Sequence, residues 1–220
     1  MILNLHTHQS FHPNHISIKN VSDEFKSIPN IGIFSAGIHP WYIKNNTFKI
    51  DFTQLEDVIK KTNVVAVGEC GLDKASIIDF QLQINCFRQQ VRFANFYEKP
   101  LIIHCVKAFA EVIKILDQEH CSVPVIFHGF NKGRILADQL ISKGYYLSFG
   151  KHLFESKTAS VFESLPLTNI FLETDSAIMG IEEIYQKAAS LRKTSNELIE
   201  EQIELNARAV FSQRLFLRPD

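Results

Sequence analysis

Short apolar runs alternate with amphipathic segments along the whole chain. The apolar runs predict eight strands, at 1–6, 15–21, 31–38, 64–69, 101–104, 123–128, 145–149 and 170–174. Helical spacing of apolar residues predicts helices at 52–62, 79–97, 108–119, 133–142, 156–165, 181–191 and 195–211. Strands that alternate with helices in this way favour a parallel sheet whose strands are joined by crossover helices.

Local signals refine this pattern. Thr53 with Glu56, and Thr194 with Glu197, have capping-box spacing at two of the predicted helix starts. The connection after the second strand is too short for a full helix. We therefore expect an α/β fold, a single compact (β/α)8 TIM-type barrel with a shortened second β/α unit and a C-terminal helix. One domain is expected to span residues 1–220, because no linker or internal repeat divides the chain.

Composition limits the classes of partner. Lys and Arg total 23 against 24 Asp and Glu, so a net charge of -1 gives no broad attraction to nucleic acid or to a membrane surface. An anionic substrate must then be held locally. The four cysteines form no C-x-x-C pair, and the N-terminus lacks the features of a secretion signal. These features predict a cytoplasmic protein with no membrane role, and nothing indicates an obligate protein partner.

Residues able to bind metal end the predicted strands. They are His6, His8, Glu69, His104, His128 and Asp175. Alternate residues of a strand share a face, so the imidazoles of His6 and His8 lie side by side. The C-terminal ends of all strands of a barrel open onto one face, where these groups are expected to meet.

Each of these residues is weak evidence alone. A His-x-His pair often has no ligand, and a Glu or His that ends a strand is usually an edge residue or a satisfied polar group. Together, however, four imidazoles and two carboxylates would be costly to bury without a metal. The set therefore predicts a centre for two divalent ions, with Mg²⁺, Mn²⁺ or Zn²⁺ as candidates.

Five motifs in order resemble the TatD family of metal-dependent hydrolases. They are His6-Thr7-His8, Gly68-Glu69-Cys70-Gly71-Leu72-Asp73, Ile103-His104, His128-Gly129-Phe130 and Glu173-Thr174-Asp175-Ser176, and Asn206-Ala207-Arg208-Ala209-Val210-Phe211 is similar to the family's closing helix. The resemblance implies a barrel with His6, His8 and Asp175 on one metal, His104 and His128 on the second, and Glu69 bridging. It also implies a magnesium-dependent or similar nuclease acting on single-stranded or duplex DNA ends.

The chain departs from the family pattern at three points. Asn4 stands where the family commonly has Asp, and Lys74 stands where an aromatic residue is common. The family's Arg two residues after the His104 position is replaced by Val106, followed by Lys107. A lysine offers phosphate a point charge where an arginine offers two parallel hydrogen bonds.

Glu69 and Asp175 are the predicted catalytic residues. Two divalent cations outweigh these two carboxylates, so the centre is expected to stay cationic, to attract phosphate and to ease deprotonation of a shared water. Asp175 can take that proton as general base while it remains a ligand. Glu173 shares a strand face with Asp175 and either supports a ligand or forms a hydrogen bond inside the barrel.

Substrate contacts are expected near the same strand ends. His39, Lys74 and Lys107 are the predicted substrate-binding residues. Trp41 and Tyr42 either stack a base or sugar or pack within their loop. Further loop residues are expected at the rim of the site or in solvent: His12, His15, Lys132 and Arg134.

Other reactions and roles remain open. The same metals could hydrolyse an ester or amide of a small molecule, or a misacylated tRNA. A polymerase-and-histidinol-phosphatase type of site also begins with His-x-His, but the further His and Asp ligands that it needs are not found at its spacings. The barrel could also be a catalytically inactive binding module.

Overall fold

The computed structural model describes residues 1–9, 14–22, 25, 28–44, 48–212 and 215, without the side chains of residues 48–51. The strands are β1 (Leu3–Thr7), β2 (Ile16–Val21), β3 (Ile33–Ala36), β4 (Val64–Asp73), β5 (Leu101–Val106), β6 (Val125–Phe127), β7 (Tyr146–Phe149) and β8 (Ile170–Leu172). The helices are α1 (Phe48–Ile59), α2 (Phe80–Tyr97), α3 (Phe109–Gln118), α4 (Arg134–Ser142), α5 (Ser156–Ser164), α6 (Ile181–Arg192) and α7 (Asn196–Phe211). Two 3-10 turns, Lys151–Phe154 and Leu167–Asn169, flank α5.

The strands neighbour one another in chain order from β1 to β8, and the registers of β1 with β2, β3 with β4, β4 with β5, β6 with β7 and β7 with β8 are parallel. A parallel bridge between Thr7 and Asp175 joins the end of β8 back to β1. The predicted (β/α)8 fold class is therefore confirmed. Between β2 and β3 the described residues contain no α-helix, as expected for a shortened second unit, and α7 is the C-terminal helix.

Two compact units make up the described chain. The first comprises Met1–Lys19 with Ile126–Leu215, and the second comprises Asn20–Val125. A single domain over the whole chain stays a prediction. Among the described residues, no helix has the length and apolar character that crossing a membrane requires.

Three sequence expectations about element ends are wrong. Helix α1 begins at Phe48, so Thr53 lies inside it and does not cap its start. Helix α7 is capped by Ser195, whose side chain accepts a hydrogen bond from the Leu198 N–H, so the N-cap is not Thr194 as the predicted Thr194–Glu197 box requires. Strand β4 continues past Glu69 to Asp73. Glu69 is therefore in the middle of a strand and not at its end.

The start of β1 is fixed by a buried hydroxyl. Tyr185 of α6 is 1% exposed, and its hydroxyl accepts from the Leu3 N–H (3.1 Å) and donates to the Leu3 carbonyl oxygen (2.9 Å). Burial raises the pKa of Tyr185 above its usual value, so the phenol stays protonated and able to donate. One side chain thereby satisfies both backbone groups of Leu3 where β1 begins.

We expect Tyr185→Phe to lower the free energy of unfolding by about 1–3 kcal/mol, because it leaves a buried N–H and a buried C=O without their hydroxyl partner. Urea denaturation followed by circular dichroism measures the change. Tyr97→Phe is the matched control, since the Tyr97 hydroxyl contacts Glu56 (2.7 Å) at a partly exposed position where water can replace it. Equal losses in the two variants would contradict the role assigned to Tyr185.

Candidate functional site

In the first unit, the backbone places Asp175 beside the end of β1. The Asp175 N–H donates to the His6 carbonyl (2.9 Å), and the His8 N–H donates to the Asp175 carbonyl (3.2 Å). Asp175 itself has a left-handed φ of 51°. Since a parallel ladder slants between its strands, this pairing sets the Asp175 backbone between His6 of β1 and His8, which follows β1.

The three side chains converge as the backbone pairing requires. Asp175 Oδ1 lies 3.9 Å from His6 Nε2 and 3.6 Å from His8 Nε2. The His6 side chain is fully buried, that of Asp175 is 33% exposed, and that of His8 is 43% exposed. Exposure thus increases from the interior of the sheet towards solvent, and the group is reachable from outside.

These distances fit a metal ion. A tetrahedral site with bonds of about 2.1 Å holds its ligand atoms about 3.4 Å apart. One ligand atom from each of His6, His8 and Asp175 can be chosen so that all lie within 4.8 Å of one another. Two imidazoles and a carboxylate are a donor set suited to a divalent ion, and small side-chain movements would bring them to bonding distance.

His128 follows β6 in the same unit. Its ring lies beside that of His6, with centroids 4.5 Å apart, and its Nδ1 lies 3.3 Å from Glu173 Oε1. The same carboxylate oxygen accepts the Gly129 N–H at 2.8 Å. If His128 Nδ1 carries the proton, its Nε2 keeps the lone pair that a metal needs, and Glu173 orients the ring.

Asn4 stands where the family that the chain resembles commonly has Asp. Its side chain hydrogen-bonds Thr174, which follows β8. Its Oδ1 accepts the Thr174 N–H (3.0 Å), and its Nδ2 donates to Thr174 Oγ1 (2.8 Å), which in turn donates to Thr7 Oγ1 (3.0 Å). An amide can both donate and accept, whereas a carboxylate can only accept. Asn4 therefore fixes the residue that precedes Asp175.

In the second unit, Glu69 is a buried carboxylate, 4% exposed. The β4–β5 register shifts between Val67 and Cys70, so Glu69 lies at an irregularity of the strand. Asn20 of β2 accepts the Glu69 N–H through Oδ1 (2.7 Å) and approaches Glu69 Oε2 with Nδ2 (3.5 Å). Ser35 of β3 donates to the same Asn20 oxygen (3.2 Å), which holds the amide in this orientation.

Two glycines let β4 approach β5 beside Glu69. Gly71 has a φ of 144°, and a Cβ there would lie 2.0 Å from the His104 carbonyl oxygen. Gly68 has a φ of 151°, and a Cβ there would lie 2.4 Å from the Ile102 carbonyl oxygen. Only glycine fits either position, which explains the glycines on both sides of Glu69 in the sequence motif.

His104 lies between two carboxylates. Its Nδ1 is 2.8 Å from Glu69 Oε1, and its Nε2 is 3.3 Å from Asp73 Oδ2. Burial raises the pKa of Asp73, but hydrogen bonds from the Trp41 indole, the Ala75 N–H and His104 together hold that pKa below its usual value. An ionised Asp73 favours a proton on Nε2 of His104, which leaves the lone pair on Nδ1, beside Glu69, able to bind a metal.

His39 approaches Glu69 from the segment after β3. Its Nδ1 accepts the Trp41 N–H (3.1 Å), so a neutral ring carries its proton on Nε2, 3.1 Å from Glu69 Oε1. His39, Glu69 and His104 together have ligand-competent atoms within 4.8 Å of one another. The hydrogen bond from Trp41 nevertheless favours His39 as a donor to Glu69, because coordination through Nε2 would place a proton on Nδ1 against another donor.

The remaining polar residues have different environments. Lys74 contacts Glu111 and lies over the Phe80 ring, while Lys107 is exposed in a left-handed conformation (φ 54°). Arg134 pairs with Asp138. His15 was expected at the surface or rim, but its side chain is 6% exposed and pairs with Glu182 at 3.1 Å, so that expectation is wrong. His12 lies outside the described residues.

Sequence reasoning missed Asn20, Asp73 and Gln83. Asp73 is 2% exposed, and its backbone N–H donates to Gln83 Oε1 of α2 (2.8 Å) while Gln83 Nε2 donates to its carbonyl (3.1 Å). One signal was present: Asp73 is four residues beyond Glu69 in the same strand, which repeats the alternation that picked out Glu69. No local pattern marked Asn20 or Gln83, because their partners are distant in sequence.

Residues 7–212 of the chain match a family model described as "TatD related DNase". A Buchnera aphidicola (Baizongia pistaciae) protein named an uncharacterised metal-dependent hydrolase is 32% identical over 153 residues, 67% of this chain. That match spans 57% of the relative's length, so the chain covers little more than half of it. An Edwardsiella piscicida protein named a 3'-5' ssDNA/RNA exonuclease is 28% identical over 173 residues, which is 76% of this chain and 66% of the relative.

A solved structure gives the same fold. The TatD homologue YJJV of Escherichia coli K12 superposes with a TM-score of 0.82 at 20% identity, covering 96% of this chain and 97% of that one. At this level of identity the likeness establishes the fold and does not transfer an activity.

We expect a divalent ion such as Zn²⁺ or Mn²⁺ to raise the melting temperature of chelator-treated protein by about 5–10 °C at 100 times its Kd, the shift that about 2.7 kcal/mol of binding energy gives. Differential scanning fluorimetry measures it. His8→Ala should remove most of the shift while changing the metal-free melting temperature little, because His8 is exposed.

His152→Ala is the matched control, since His152 is a partly exposed histidine paired with Glu155 outside these groups. A metal-induced shift that survives in His8→Ala, or that disappears in His152→Ala, would contradict a metal site at His6, His8 and Asp175.

Proposed function

Because this chain belongs to the TatD-related DNase family of metal-dependent hydrolases, we propose that it is a two-metal phosphodiesterase that cleaves DNA at single-stranded or duplex ends. The observation that carries the proposal is the group of His6, His8 and Asp175, which the β1–β8 backbone pairing aligns with donor distances suited to a divalent ion. The name of the Edwardsiella relative, an ssDNA/RNA exonuclease, supports nucleic acid as the substrate class.

The proposed ligands form two sets. His6, His8 and Asp175 would hold one ion, His104 and His128 would hold the second, and Glu69 would be shared by both. Carboxylate contacts support metal binding by two of these histidines: Asp73 favours a proton on Nε2 of His104 and leaves Nδ1 for an ion, and Glu173 favours a proton on Nδ1 of His128 and leaves Nε2. His39 donates to Glu69 and stays outside the ligand set.

When bound by these residues, divalent ions would lower the pKa of a bound water and would stabilise the attacking and leaving oxygens of an in-line displacement. Asp175 accepts the proton of the attacking water through its carboxylate, which Ser176 Oγ approaches at Oδ2 (3.4 Å). Glu69 and His39 form a buried hydrogen-bonded pair that keeps the bridging carboxylate oriented. Lys107 contacts substrate phosphate, and Lys74 contributes less because Glu111 already neutralises it.

A panel of substrates distinguishes the proposed nuclease from the alternative functions. A panel of a labelled single-stranded oligonucleotide, a duplex with blunt ends, an aryl phosphodiester, an aryl ester and an amide is incubated with metal-replete protein. We expect shortening of the oligonucleotide and turnover of the aryl phosphodiester. Turnover confined to the ester or amide would favour the hydrolase of small molecules or misacylated tRNA, and metal binding without turnover would favour an inactive binding module.

The cytoplasmic location stays a prediction.

We expect Asp175→Asn to lower kcat on the oligonucleotide by about 10²–10⁴-fold, because the amide cannot accept the proton of the attacking water. The Asp175 side chain is only partly buried, so the fold should be retained, as checked by circular dichroism. Asp138→Asn, an exposed carboxylate on α4, is the control and should cleave like the wild-type protein. Wild-type turnover in Asp175→Asn would remove Asp175 from the chemistry.

We expect Lys107→Ala to raise KM for the oligonucleotide and to reduce the slope of log affinity against log salt by about 0.7, the contribution of one phosphate contact on a single strand. Lys74→Ala should change the slope less, because its ammonium is paired with Glu111. Salt titrations of KM for the three proteins measure the slopes. Identical slopes for wild type and Lys107→Ala would exclude a phosphate contact by Lys107.

A further inference from the structure

Trp41 is the chain's single tryptophan and follows β3 in the segment that carries His39. It is 55% exposed, an unusual state for the largest apolar side chain. Its neighbour Tyr42 is 47% exposed. The segment therefore presents two aromatic rings to solvent directly after a proposed active-site histidine.

The indole is nevertheless held in place. Trp41 Nε1 donates to Asp73 Oδ2 at 2.6 Å, and Asp73 is buried at the end of β4. Asp73 Oδ1 accepts the Ala75 N–H (2.7 Å), so the carboxylate is itself fixed by the backbone. A charge-assisted hydrogen bond of this kind restricts the two rotatable bonds of the tryptophan side chain.

The indole also lies against the proposed metal site. Its ring is 4.9 Å from the His39 ring at an interplanar angle of 80°, and 5.8 Å from the His104 ring at 73°. Substrate bound near His104 therefore passes within reach of Trp41. A ring that only closed the loop would not need to keep more than half of its surface exposed.

Resting on the proposed function, we propose that Trp41 is the platform on which a base of a single-stranded nucleic-acid substrate stacks, and that Asp73 is the positioning residue that holds the indole. Every base has an aromatic face, so stacking gives affinity without sequence preference. Unpaired bases expose that face, whereas bases inside a duplex are stacked on both sides. A ring that is already ordered loses little conformational entropy on binding.

The sole tryptophan makes the contact directly measurable. Metal-replete wild-type protein is titrated with a phosphorothioate-linked hexanucleotide while intrinsic fluorescence is recorded, and a gel checks that the oligonucleotide stays intact. We expect saturable quenching. An abasic phosphorothioate chain of equal length and charge controls for phosphate binding and should leave the emission largely unchanged.

Variants test the contribution to cleavage. Trp41→Leu removes the aromatic face and should raise KM for the base-bearing oligonucleotide by about 5- to 150-fold, the range for loss of one base–aromatic stack. Its KM for an abasic chain should not change. Trp41→Phe keeps a ring without the N–H and should lie between. Phe96→Leu, a 77% exposed aromatic near the C-terminal end of α2, is the control and should have no effect.

The positioning role of Asp73 has its own readout. Fluorescence anisotropy of Trp41 should fall in Asp73→Ala, which removes the acceptor, and should largely recover in Asp73→Asn, which keeps an acceptor oxygen. Circular dichroism confirms that both variants fold. An unchanged anisotropy in folded Asp73→Ala would overturn the positioning role.

Two results separate this inference from the proposed function. Phosphodiester cleavage with equal quenching by base-bearing and abasic chains, or with equal KM changes for both in Trp41→Leu, would overturn the stacking platform alone. Base-dependent quenching without hydrolysis of any phosphodiester would support the platform and overturn the nuclease proposal.

Discussion

Buried carboxylates held against imidazoles are the constraint that organises both units. Glu69, Asp73 and Glu173 are each less than 5% exposed, and an ionised carboxylate is costly to bury without partners. Each carboxylate receives a backbone or amide hydrogen bond as well as an imidazole contact: Glu69 from Asn20, Asp73 from Ala75, and Glu173 from Gly129. Strand β2 and the segments after β4 and β6 are thereby tied to the carboxylates. Local backbone order and the proposed chemistry depend on the same contacts.

The hydrogen-bond partners of each histidine determine which ring nitrogen is expected to carry the proton. His39 receives a backbone N–H on Nδ1, while His104 has a carboxylate at Nε2 and His128 has one at Nδ1. The three rings are therefore expected to present different nitrogens: His104 binds through Nδ1, His128 binds through Nε2, and His39 donates. A sequence position that reads only as histidine cannot distinguish these roles.

The sequence predicted the fold well because strand and helix periodicities are local. All eight strands and all seven helices lie where the apolar pattern put them, and the errors concern ends. The spacing of Thr53 and Glu56 predicts a helix start wrongly because three-residue spacing also occurs inside a helix. The apolar pattern predicts too early an end for β4 because Gly68 and Gly71 weaken a strand pattern. Asp73 shares the strand alternation of Glu69, but its contacts with Trp41 and His104 are long-range and no local spacing predicts them. Asn20 has no local signal, because its partner Glu69 is distant in the sequence.

The number of carboxylates near the proposed metal ligands changes how an anionic substrate is expected to be bound. In the proposed two-metal centre, Glu69 and Asp175 alone would leave a net positive charge, but Asp73 and Glu173 also contact proposed ligands, and four carboxylates would balance two divalent ions. The chain's net charge of -1 adds no long-range attraction. Affinity for an anionic polymer must then come from open coordination positions, from single cations such as Lys107, and from contacts that do not depend on charge. A fixed, exposed indole beside His104 is a contact of that last kind, and it is held by the same Asp73 carboxylate that would contribute to this charge balance.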